Sequence, residues 1–194
     1  MDNDGDRGPG IWVLPLPDRM KPTTPNIQDG QPALTEADVA GECVYRIAQG
    51  VQRSWPEIFA LIGPLVGESA ARLDAPDAWL DFGLAAMAVR IQAFAEALVP
   101  EDAERIRTAI LNQVCRNHGA VRRQAVEQYE RAWHDSITAG EAPLDCVACL
   151  LCDRWGIACA GPAVRSRGKD PLVVMLLGTV LLTWATSWPH RVPT

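Results

Sequence analysis

The sequence is nearly without lysine: Lys21 and Lys169 stand beside 16 arginines. These 18 bases face 24 acids, which leaves a net charge of −6. A nucleic-acid binder takes most of its affinity from neutralised phosphates and carries a basic footprint. Neither half of this chain has one. Residues 1–97 hold 14 acids and 7 bases, and residues 98–194 hold 10 and 11. Nucleic acid is therefore not an expected partner. Arginine in place of lysine, in an alanine-rich chain, is the coding bias expected of a GC-rich bacterial genome.

Histidine is also scarce, with only His118, His134 and His190. A di-iron bundle takes Glu-x-x-His from two helices. The nearest approach here is Glu127, Glu130 and His134, with Glu130-x3-His134 spacing and no second copy. An exposed i,i+4 ion pair is the expected reading. The phosphate loop G-x4-G-K-S/T is missing, as are G-x-G-x-x-G after a strand and the G-x-S-x-G elbow. No catalytic centre is evident, and the balance leans away from an enzyme. Internal repeats are missing too. The N-terminus, MDNDGDRGPG, lacks the basic and apolar regions of a secretory signal, so a cytoplasmic location is expected. Thiols stay reduced there. The six cysteines then read as thiols or metal ligands rather than disulfides.

The last absence is alternation. No stretch sustains the apolar–polar repeat of a half-buried strand. Residues 1–34 instead hold six prolines and four glycines. Proline lacks a donor and disfavours helix before it, so this segment is expected to be an extended arm. Within it, Ile11-Trp12-Val13-Leu14-Pro15-Leu16-Pro17 is an apolar run. It is expected to lie across its own domain or to act as a linear motif, with Trp12, Val13, Leu14 and Leu16 as the residues that would hold a protein partner.

From Thr35 the spacing is helical. Thr35-Glu36-Ala37-Asp38 resembles a capping box ahead of Val39, Cys43, Ile47 and Val51. Ser54-Trp55-Pro56-Glu57 reads as a second start, with Ser54 as cap and Pro56 in the first turn. That helix carries Ile58 to Val66, with a kink expected at Gly63-Pro64. A third opens at Asp74-Ala75-Pro76-Asp77; its two adjoining apolar stripes suit a central helix. A fourth begins at Glu101-Asp102 and stops near Gly119, and a fifth ends at Gly140. A sixth covers Leu144 to about Trp155, and a seventh follows Pro171. The expectation is an all-α bundle of about seven helices, with residues 35–194 as a single domain.

Two segments raise chemical questions. Cys146-x2-Cys149-x2-Cys152, with Cys159 seven residues on, partly matches the opening of an iron–sulfur run. Iron–sulfur or zinc binding, or redox chemistry, by these four cysteines is the alternative to buried packing. On a regular helix, i, i+3 and i+6 spread over about 120° of circumference, which favours packing. The second segment is Pro171–Trp188, 18 residues without a charge. It is expected to be a buried core helix. The alternative is a tail anchor in an inner membrane, oriented by Arg165, Arg167 and Lys169 on its N-terminal side. The expected function is that of a helical binding or adaptor protein.

Overall fold

The computed structural model describes residues 35–75, 77–157 and 171–186. The arm motif at Trp12–Leu16, Cys159 and the basic loop at Arg165–Lys169 lie outside them. Among the described residues there are seven α-helices and no strand. They are α1 (Glu36–Val66), α2 (Ala70–Leu73), α3 (Ala78–Ala97), α4 (Pro100–His118), α5 (Ala120–Ala139), α6 (Pro143–Arg154) and α7 (Pro171–Thr186). One 3-10 turn, Gly67–Ser69, links α1 to α2.

The number of helices agrees with the sequence reading, but its parts differ. The two helices expected over 35–66 are one helix of 31 residues, with Pro56 and Pro64 inside it. Local signals at Ser54 and Pro56 argue for a break. Burial argues against one: Val44, Ile47, Val51, Ile58 and Ile62 keep one continuous helical stripe through the prolines. That stripe packs on α3 and α4, and tertiary packing outweighs a lost backbone bond. The seventh helix is instead recovered as α2, a single turn. The capping box at Thr35 is formed: the Asp38 amide donates to Thr35 Oγ1 at 3.2 Å, and the Thr35 amide donates to Asp38 Oδ2 at 3.0 Å.

Helix α3 is central. It touches α1, α4, α5, α6 and α7, and those five close a ring around it through α1–α4, α4–α5, α5–α6, α6–α7 and α7–α1 pairs. A helix so placed must be apolar on all sides. Every residue from Phe82 to Gln92 is buried. α3 is also long and apolar enough to cross a membrane by length and composition, a property shared by core helices. On one side Phe82 meets Trp55 at 6.1 Å between ring centroids, and Trp55 meets Trp155 at 5.9 Å.

Helix α7 packs on α1, α3 and α6. Val173, Val174, Leu177, Gly178, Leu181 and Ala185 are buried, while Leu172, Met175 and Leu182 are exposed. Gly178 allows a close approach to α6: a Cβ there would lie 3.5 Å from Leu144 Cβ. The exposed face carries no charge. Thr179, Thr183 and Thr186 turn their hydroxyls back to donate to the carbonyls of Met175, Thr179 and Leu182.

The buried Arg90 of α3 ties the end of α7 to the core. Its guanidinium donates to the Ala185 carbonyl at 2.9 Å and lies 4.7 Å from the Phe94 ring. The last carbonyls of a helix have no internal partner, so this contact acts as a cap. Across from it, burial pushes the Cys43 thiol up to about 12, with Arg90 pulling the other way. The folded chain therefore holds the proton after an unfolded thiol, ordinarily near 9, has lost it. This contribution to stability is complete below pH 9 and is lost as pH rises toward 12. Urea midpoints at about pH 8 and about pH 10.5 are expected to fall further apart in the wild type than in Cys43→Ala.

Candidate functional site

Three of the four buried polar or charged residues of the described chain have partners within it. Arg90 has the Ala185 carbonyl, Glu130 has Arg107, and Ser136 Oγ donates to the Trp133 carbonyl at 2.6 Å. The fourth, Gln92, is 6% exposed and makes no hydrogen bond among the described residues. Gln92 and Arg90 are two apart on α3, about 200° around the helix, so they face opposite sides. Arg90 faces α7. Gln92 faces a cleft of about 610 Å³ where α4 and α5 meet α3.

Helix periodicity builds this cleft. Helix α4 contributes Pro100, Ala103, Glu104 and Arg107, and α5 contributes Glu127, Glu130, Arg131 and His134. Each set falls at i, i+3, i+4 and i+7, the positions that share one helix face. Helix α3 closes the cleft with Ile91, Gln92 and Ala95. The floor is thus largely apolar, with one amide in it, and the walls are charged.

The walls are tied by a forked ion pair. Arg107 Nε and Nη2 donate to the two carboxylate oxygens of Glu130 at 2.8 and 3.1 Å. Arg107 Nη1 donates to Glu104 Oε1 at 3.1 Å. The hydrogen bonds to Glu130 hold the Arg107 guanidinium even more firmly protonated than usual. Parallel N–H···O bonds of this kind fix geometry as well as charge. Glu127 is engaged elsewhere, accepting from Arg123 Nε at 3.0 Å. Arg131 and His134 form no ion pair among the described residues. This corrects the sequence reading of an exposed Glu130–His134 pair. Glu130 is buried, and its partner is 23 residues upstream on α4.

A second polar cluster joins α3, α5 and α6. Arg122 bonds Asp81 at 3.0 Å and Asp77 at 2.7 Å. Arg154 bonds Gln128 and stacks 5.3 Å from the Tyr129 ring. Burial raises the Asp81 carboxyl above its ordinary range, against the pull of Arg122 and Arg154. The buried Tyr129 hydroxyl has no hydrogen-bond partner, and burial pushes its ionisation up. The cluster's bonds tie α3, α5 and α6 together.

Cys146, Cys149 and Cys152 all lie on the unbroken helix α6 and are buried. Cys149 and Cys152 belong to the apolar core, and Cys146 Sγ donates to Glu141 Oε2 at 3.1 Å. Among the described residues, no three His, Cys, Asp or Glu side chains converge as a metal-binding group.

Fold and cleft together define the class: an all-α bundle, one helix ringed by five, with a mixed polar and apolar cleft on one side. No protein-family model, curated protein or solved structure matches the chain.

Proposed function

We propose that this chain is a helical ligand-binding protein, and that the α3/α4/α5 cleft holds a small molecule. The observation that supports this most directly is Gln92. Gln92 is 6% exposed and makes no hydrogen bond among the described residues, so its amide is left to face the cleft. Arg90, Glu130 and Ser136 have their partners; the Tyr129 hydroxyl and the Trp155 indole N–H are also buried without one, but neither lines the cleft. An amide left open in the floor of a cleft is a group that a ligand completes. The cleft's volume, about 610 Å³, lies within the range of small-molecule sites, roughly 300–1,000 Å³.

The walls give no nucleophile paired with a base. Glu104, Glu127 and Glu130 are each bonded to an arginine. Binding, rather than turnover, is what this arrangement serves.

Ala103 lines the cleft on α4 and is only partly buried, so a large side chain there fills the space without entering the core. Titration with anilinonaphthalene sulfonate, an amphipathic fluorescent anion, is expected to give a saturable one-to-one signal. Ala103→Trp is expected to abolish it while helicity and the cooperative melt persist. Equal signals from both proteins, or none from either, would remove the cleft as a binding site.

A further inference from the structure

We infer that the ligand of this cleft is uncharged and carries a carboxamide on an apolar body. This rests on the cleft being a binding site and names the class of molecule it takes.

Charge is already answered within the walls. The lining holds three carboxylates, on Glu104, Glu127 and Glu130, and two guanidiniums, on Arg107 and Arg131. Arg107 serves Glu104 and Glu130 together. Glu127 takes its hydrogen bond from Arg123, which adds a third guanidinium beside the lining. Three acids thus stand against three bases. An anion meets the carboxylates, a cation meets the guanidiniums, and neither finds a free counter-charge away from water. Arg131 and His134 are exposed, so water already serves their polar ends. Moving an ion out of water into such a place costs more than moving a neutral group of the same size.

The floor is carbon around one amide. Ile91 and Ala95 lie beside Gln92 on α3, and Pro100 and Ala103 add carbon from α4. Gln92, 6% exposed, faces this space without a hydrogen bond among the described residues. Its side chain ends in a donor N–H and an acceptor oxygen side by side. A carboxamide carries the same two groups and, laid antiparallel, closes two N–H···O bonds at once. A ketone meets only the N–H and leaves Gln92 Oε1 without a donor, which forfeits the second bond. An apolar body attached to the carboxamide takes Ile91, Ala95 and Ala103 out of water.

Displacement of bound prodan, an uncharged fluorescent naphthalene ketone, tests this on the full chain. Four competitors share one alkyl chain: octanamide, N,N-dimethyloctanamide, octanoate and octylammonium. The assay is run at about pH 7, where the acid and the amine are both charged. Octanamide is expected to displace prodan at a concentration about tenfold below that of each of the other three. Gln92→Leu is expected to bring octanamide to the level of its dimethyl form, which has no N–H to give, and to leave the dimethyl form unchanged. If octanoate or octylammonium competes as well as octanamide in the wild type, the cleft stands as a site and the uncharged ligand is wrong. If the two amides compete equally in the wild type, or differ as much in Gln92→Leu, the carboxamide is wrong. If Ala103→Trp holds prodan and releases it to octanamide as the wild type does, the cleft reading itself fails.

Discussion

A chain ending at Asp170 is expected to have no cooperative unfolding transition and to collect in the insoluble fraction. Helix α7 closes the ring around α3, and its removal uncovers α1, α3 and α6 together. Val173, Val174, Leu177 and Leu181 are each at most 2% exposed. Burial of such side chains contributes roughly 1.5–3 kcal/mol apiece. Their combined loss, about 6–12 kcal/mol, is comparable to the whole stability of a typical domain, about 5–15 kcal/mol. Arg90 suffers as well. It loses the Ala185 carbonyl that answers its buried guanidinium. Circular dichroism during a thermal melt, with the soluble fraction measured beside it, reads the result. A truncated chain that stays soluble and melts sharply would show that the ring of helices is not what holds the bundle closed. Leu177→Ala gives a graded version, with an expected loss of about 2–5 kcal/mol.

Arg107→Leu is expected to destabilise the fold by about 3–5 kcal/mol, because it strands the Glu130 carboxylate. That side chain is 5% exposed, against 34% for Arg107. A buried charge without a partner keeps the cost of desolvation and loses what offset it. In a domain of this size, the loss lowers the melting temperature by on the order of 10 °C. Arg107→Leu with Glu130→Leu is expected to recover most of it, since no charge is then buried. Arg123→Leu provides the contrast. Its pair with Glu127 is exposed at 39% and 31%, and pairs of that kind contribute about 0–1 kcal/mol. Equal losses in Arg107→Leu and Arg123→Leu would mean that burial does not set the value of the cleft's ion pair. Urea unfolding of the wild type and the three variants makes the comparison.

The fold was legible where one helix carried its own evidence. The unbroken apolar run Phe82–Val89 announces a central helix, because only full enclosure accommodates it. Gly140 announces the end of α5, and its φ of 69° is the left-handed cap that glycine supplies. Helix α1 was misread because Ser54 and Pro56 act over four residues. The stripe that overrides them acts over 31 and depends on neighbours far along the chain. The cleft was harder still. Glu127, Glu130 and His134 can be placed on one face from spacing alone, but nothing local says that Arg107 lies opposite. Two signals were nonetheless present. Arg90 and Gln92 interrupt an otherwise apolar helix, and a polar residue in such a place needs a partner or a ligand. The matching i, i+3, i+4, i+7 sets on α4 and α5 were the second.

The joint between those two helices is a single residue. Gly119, at φ 87°, separates His118 from Ala120. Arg107 stands 12 residues before it and Glu130 stands 11 after it, so their bridge crosses a near-symmetrical pair of arms. At 1.5 Å per residue, the bridge lies about 18 Å from the joint, and Pro100 about 28 Å. The hairpin is a pair of tongs pivoted on one glycine, latched partway along by a salt bridge, with the cleft between the tips. A rotation of about 5° at the pivot moves a tip by about 2 Å, given arms of that length. Because the latch is buried at its Glu130 end, salt screens it little, and the spacing of the jaws is held across a wide range of ionic strength.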